Sequence, residues 1–107
     1  MFEFDVKSDH QPAGHQRATA TLGGVADPSV TAGELRDLSD RARSLLRENG
    51  VAVVECCMFP GRDYTRLHLV FEAEVMNVAT TLTTIQQVLD SQFLPLLEGV
   101  VLPVPAN

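Results

Sequence analysis

Val51-Ala52-Val53-Val54-Glu55-Cys56-Cys57-Met58-Phe59, then Pro60-Gly61-Arg62-Asp63, then Tyr64-Thr65-Arg66-Leu67-His68-Leu69-Val70-Phe71-Glu72, is the stretch whose reading decides the fold. Two runs rich in β-branched and aromatic residues flank a Pro-Gly break, so the pattern predicts a β-hairpin. A glycine at the first central position of a two-residue loop suits a type II′ turn, which needs φ > 0 there. Gly61-Arg62 is therefore read as the loop. Pro60 then faces Asp63, Cys57 faces Arg66 and Glu55 faces His68. Strand side chains alternate between faces. Ala52, Val54, Cys56 and Met58 share one face with Thr65, Leu67, Leu69 and Phe71, and that face is assigned to the core. The other face carries Val51, Val53, Glu55, Cys57 and Phe59 against Tyr64, Arg66, His68, Val70 and Glu72.

Two readings of the second face stand side by side. In one it is a sheet surface with a cross-strand ion pair worth roughly 0.2–1 kcal/mol. In the other it is a small site. His68 and Glu55 are then the candidate catalytic pair, with the imidazole as acid or base and the carboxylate orienting it. Cys57, Tyr64, Arg66 and His68 are the candidate ligand contacts.

The totals narrow the classes. A chain of 107 residues fits one α+β domain over 1–107 and can bury a modest core. With no Trp and five Phe, that core is built from Leu, Val, Ala and Phe. The net charge of −6 argues against nucleic acid or an anionic membrane as the main partner. No basic segment precedes a long apolar one at the N-terminus, so no signal peptide is expected. The uncharged stretch Val75–Leu89 is too rich in Thr, Asn and Gln to span a membrane. Cys56 and Cys57 are adjacent and point to opposite faces of a strand, which makes no disulfide framework. These features read as a cytoplasmic protein with two reduced thiols. His10 and His15 lie in a segment without accompanying ligands and read as a solvated loop. No metal or cofactor is expected.

In chain order, Phe2, Phe4 and Val6 alternate with charged residues and predict a short strand. Ser8–Gln16 reads as a loop. Arg17–Gly23 alternates again, with Ala18, Ala20 and Leu22 on one face. Gly23-Gly24 lacks the spacing of a phosphate loop and reads as a strand-to-helix connection. Thr31–Asn49 predicts a helix. Thr31 and Glu34 have capping-box spacing, Val30 and Leu35 suit a hydrophobic staple, and Asn49-Gly50 supplies the stop. Leu35, Leu38, Ala42, Leu45 and Leu46 form its apolar stripe. Arg36, Asp40, Arg43 and Arg47 read as its solvated side. Glu74–Gln92 predicts a second helix with a stripe of Val75, Val78, Leu82, Ile85 and Leu89, ending before Leu94 because of Pro95. Gly99–Val104 predicts a last short strand, at a sheet edge or a frayed end because of Pro103 and Pro105.

The order is strand, strand, helix, strand, strand, helix, strand. Without the first strand it is βαββαβ, a ferredoxin-like sandwich with an antiparallel sheet covered on one face by two helices. The layout resembles the dimeric ferredoxin-like α+β barrel group. The resemblance rests on chain length, a capped first helix, a long hairpin, and a second helix running into Phe93-Leu94-Pro95-Leu96-Leu97 before a Val-rich strand. It implies the fold; the group holds isomerases, cofactor-free oxygenases, haem-degrading enzymes and non-catalytic members. An outer face with Val51, Val53, Phe59, Tyr64 and Val70 is too apolar for open water, so a sheet-to-sheet homodimer is expected. The function expected first is a non-catalytic homodimeric module that binds a small apolar or acidic ligand, or a partner protein, at the sheet face or dimer cleft. The alternatives are a small cofactor-independent enzyme of isomerase, cyclase or oxygenase type using His68, and a purely structural assembly protein.

The cap gives a direct test. Replacing Thr31 by Ala removes an acceptor for an exposed backbone N–H and lowers stability by about 1 kcal/mol. Urea unfolding at equilibrium reads this, and an unchanged midpoint places the helix start elsewhere.

Overall fold

The computed structural model describes residues 4–9, 15–61 and 64–103, with the side chains of Asp9, His15, Leu102 and Pro103 excepted. Phe2, His10, Arg62, Asp63 and Val104 lie outside the described residues. The elements in order are β1 (Phe4–Asp9), β2 (His15–Leu22), β3 (Gly24–Ala26), α1 (Ala32–Glu48), β4 (Ala52–Pro60), β5 (Thr65–Glu72), α2 (Val78–Val88) and β6 (Val101–Pro103). The fold is α+β, with a four-stranded antiparallel sheet ordered β1-β2-β5-β4 and two helices, an arrangement compatible with a ferredoxin-like one.

Two features depart from the expected topology. In a ferredoxin-like βαββαβ sheet the last strand would lie beside β2. Here β1 takes that place, joined to β2 from Phe4↔Leu22 to Asp9↔Arg17. The last strand instead pairs with β3, a strand where the glycine pair predicts a connection, in a separate two-stranded sheet. A nearby hydroxyl ties the two sheets together: Thr65 Oγ1, fully buried, donates to the Gly24 carbonyl at 2.9 Å.

The start of β1 is clamped by the end of the second helix. The Phe4 N–H donates to Asp90 Oδ1 at 2.9 Å, and Gln86 Nε2 donates to both the Phe4 carbonyl and Asp90 Oδ2. The rings of Phe4 and Phe93 stack with centroids 6.0 Å apart. These contacts coincide with a π-helical turn at Leu89–Phe93, which carries the chain straight into a 3₁₀ turn at Leu94–Leu97. The expected break before Leu94 is thus absent: Pro95 sits in the first turn of a new short helix, where its missing N–H has no intrahelical partner to lose. Val75, read as part of the apolar stripe, precedes α2 in a 3₁₀ turn and is 81% exposed. Two of the threonines that lower the helix propensity of α2 turn their hydroxyls back onto carbonyls four residues earlier, Thr83 to Ala79 and Thr84 to Thr80.

The first helix follows its sequence signals. Thr31 Oγ1 accepts from the Glu34 N–H at 3.2 Å and its hydroxyl meets Glu34 Oε1 at 3.3 Å, so the glutamate closes on the side chain of the cap. Gly50 follows the Asn49 cap with φ +87°, the left-handed position that favours glycine. Ala42 and Leu46 are fully buried against the sheet. The helix lies along β4, which is an edge of the sheet.

The hairpin is where the structure corrects the sequence most. Pro60 pairs with Thr65, Phe59 with Arg66, Cys57 with His68 and Glu55 with Val70. Each residue of β4 from Glu55 to Pro60 thus faces a partner two positions farther along β5 than a Gly61-Arg62 loop would give. The Gly61 N–H donates to the Tyr64 carbonyl at 2.8 Å. Gly61 does not have positive φ; a Cβ there would stand 2.5 Å from the Tyr64 carbonyl oxygen, so glycine is required by close approach, not by a II′ turn. Farther along, the register shifts between Val53 and Glu55, with Val53 paired to Phe71 and Ala52 to Glu72. Val54 is the extra residue of a β-bulge. Val51 and Val53 therefore point inward and are buried, while Ala52 and Val54, expected in the core, are exposed.

Ser39 guards the exposed edge of β4. Its hydroxyl accepts from the Met58 N–H at 3.0 Å and donates to the Leu35 carbonyl at 2.9 Å. In Ser39→Ala a buried N–H loses its partner, which costs about 1–3 kcal/mol. Chemical denaturation of this variant should show a loss of that size; an unchanged midpoint would mean the helix does not cap the strand.

Candidate functional site

The sheet has one face under the helices and one face without them. On the open face the observed register builds rows of side chains across the strands. Thr19, His68 and Cys57 form one row, Thr21, Arg66 and Phe59 the next, and Arg17, Val70 and Glu55 the third. Paired residues on neighbouring strands bring their side chains within contact range. The middle of this face is a shallow depression of about 260 Å³ lined by Thr19, Phe59, Arg66 and His68.

Each lining residue is placed by a different feature. Thr19 comes from β2, which joins β5 through a pairing distant in sequence, Thr19 with His68. Arg66 is directed by Tyr64, whose ring lies under the guanidinium carbon at 5.1 Å. Such a cation–π contact contributes roughly 0.5–1 kcal/mol at an exposed site and narrows the orientations of the arginine. Phe59 is 51% exposed opposite Arg66 and gives an apolar wall. His68 is half-buried between Thr19 and Cys57.

Of the residues that the sequence singles out, His68, Arg66 and Cys57 share this face, and Tyr64 adjoins it through Arg66. The expected pairing of Glu55 with His68 is not present. Glu55 is opposite Val70, and Cys57, expected beside Arg66, is opposite His68. The observed register moves each of these partners two residues along β5. Thr19 escapes a reading of the sequence because strand pairing at long range leaves no local signal in a single chain. The expected apolar outer face is also revised: Val51 and Val53 belong to the core, and the face is mostly polar around Phe59, Tyr64 and Val70.

The two cysteines differ sharply although they are adjacent. Cys57 is exposed on the open face, and Cys56 is buried on the opposite side. Burial pushes the Cys56 thiol up to about 12 from its ordinary 9.0, with Arg43 opposing the rise and Cys57 and Asp40 adding to it. Among the described residues no group of three or more His, Cys, Asp or Glu is placed to hold a metal ion. None of the described helices is long and apolar enough to cross a membrane.

Thiol chemistry checks this arrangement. With Ellman's reagent at about pH 8, close to the ordinary thiol pKa, one thiol per chain should react quickly and the second only on unfolding. Cys57→Ser should remove the fast phase. The raised Cys56 thiol also sets a sign for alkaline stability. Stability linked to it is fully present below about pH 9 and is lost as pH rises towards 12. Two fast thiols would contradict the burial of Cys56.

No known protein family matches the chain, and neither a curated protein nor a solved structure shows significant similarity to it.

Proposed function

We propose that the protein is a non-catalytic binding module that holds a small planar anion on the open face of its sheet. The observation that carries this reading is the depression lined by Thr19, Phe59, Arg66 and His68. The Arg66 guanidinium offers a forked donor set suited to a carboxylate. The exposed Phe59 ring offers a flat apolar surface, and Thr19 and His68 offer hydrogen-bonding groups beside it. A ligand with a ring and a carboxylate uses all four.

The acid–base reading is weakened by the register, because the carboxylate meant to orient His68 is across from Val70. The homodimer expected from the sequence is weakened as well. Two of its five apolar residues are buried in the core, so a single chain with the face open to ligand is the form we favour. The ferredoxin-like relationship is retained as a reading of β2, α1, β4, β5 and α2, with β1 standing where the last strand would lie.

Titration with 4-hydroxybenzoate, followed by ¹⁵N–¹H correlation spectra, tests the proposal. Amide shifts should cluster at Thr19, Phe59, Arg66 and His68, and Arg66→Ala should weaken binding by about tenfold, as expected for loss of a charged hydrogen bond. Tyr64→Ala should weaken it less. Shifts scattered over the chain, or an affinity indifferent to Arg66→Ala, would remove the site.

A further inference from the structure

A groove of about 580 Å³ runs between α1 and the exposed edge of β4, around the sheet edge from the open face. Its volume falls within the roughly 300–1,000 Å³ common for small-molecule sites. Leu35 contributes from the helix, and Cys56, Met58 and Phe59 from the strand, so the lining is chiefly apolar. Phe59 borders both this groove and the depression on the open face.

The polar groups in the groove are few and unequal. The Ser39 hydroxyl is already engaged with the Met58 N–H and the Leu35 carbonyl. Among the described residues of the lining, Arg43 and Arg36 bring two positive charges against the negative charge of Asp40, in a chain of net charge −6. Arg43 and Asp40 form an ion pair, Nη2 to Oδ1 at 3.8 Å, without a hydrogen bond. Arg43 Nε is buried and meets no hydrogen-bond acceptor among the described residues. The Arg43 side chain as a whole is 38% exposed, so its positive charge is open to an anion from solvent.

The backbone bordering the groove says what kind of occupant fits. A peptide adding to β4 as a strand would need its outward N–H and carbonyl groups. The Met58 N–H is taken by Ser39, the Val53 carbonyl accepts from Arg47 Nη2 at 3.0 Å, and Pro60 has no N–H. These features take up part of the edge and weaken it as a template for strand addition. A small molecule with an apolar body and one anionic end suits this lining better than an added strand.

We propose that the groove between α1 and β4 is a binding site for an amphipathic carboxylate, its apolar chain on Leu35, Met58 and Phe59 and its carboxylate accepting from Arg43. Arg43, read from the sequence as part of a solvated helix side, keeps a 38% exposed side chain and also borders the groove. The Cys56 thiol in the floor stays protonated at neutral pH, so it adds no charge to oppose the anion.

Decanoate, with decanol as the uncharged control, tests this. In ¹⁵N–¹H spectra of the intact chain, decanoate should shift amides over residues 32–43 and 56–59. Arg43→Met keeps the alkyl stem and should weaken decanoate by about tenfold while leaving decanol unaffected. Ala32→Trp, at an exposed position in the groove wall, should block both ligands without lowering the thermal midpoint. The proposal is overturned if decanoate and decanol bind alike, if neither binds, or if the shifts centre on Thr19, Arg66 and His68. The last outcome would leave the open-face site standing alone. Loss of 4-hydroxybenzoate binding with decanoate binding intact would remove that site and keep this one.

Discussion

One extra residue in an edge strand governs this molecule. Val54 sits in β4 as a bulge, and on its two sides the strand shows opposite faces to the core. Before it, Val51 and Val53 turn inward; after it, Cys56 and Met58 do. Without the extra residue, a strict alternation would leave one of these pairs on the open face, exposing apolar surface. With it, the core gains all four side chains, and Glu55, Cys57 and Phe59 are turned outward together. Both candidate sites depend on this. The open-face depression needs Phe59 beside Arg66, and the groove needs Cys56 and Met58 beneath α1.

The edge of β4 shows how the fold keeps its backbone from pairing with other chains. Helix α1 lies along that edge and supplies Ser39 to a strand N–H and Arg47 to a strand carbonyl. At the other edge, Gln86 and Asp90 do the same for the start of β1. Such contacts cover part of each exposed edge with side chains from the helical layer.

Much of the architecture is legible in the residues. The capped first helix, its stop at Gly50, the apolar face of β2 and the existence of the long hairpin all follow from local chemistry that the structure repeats. What escapes is non-local or dependent on a single residue. Gly61 signals a II′ turn, yet its role is to let the Tyr64 carbonyl approach. Val54 belongs to an unbroken β-rich run, and nothing within that run marks which residue bulges. The exchange of β1 for the last strand goes with contacts between Phe4 and the end of the second helix, at the far end of the chain. For the candidate site, His68, Arg66, Cys57 and Tyr64 fall on or beside the expected face, but their partners are shifted. Arg43 reads as solvated in the sequence and stays 38% exposed, and only the docking of the helix shows that it also borders the groove.

Both sites rest on the register of the hairpin, and proton–proton NOEs across the strands test it most directly. Met58 and Leu67 are a facing pair whose N–H groups point away from one another, the geometry in which opposed α-protons come close. The bulged register predicts strong NOEs between the α-protons of Met58 and Leu67 and between those of Cys56 and Leu69. Strong NOEs from Met58 to Thr65 and from Cys56 to Leu67 would instead establish the earlier turn, restore Glu55 to His68, and contradict the pairing on which the open-face depression and the groove are built.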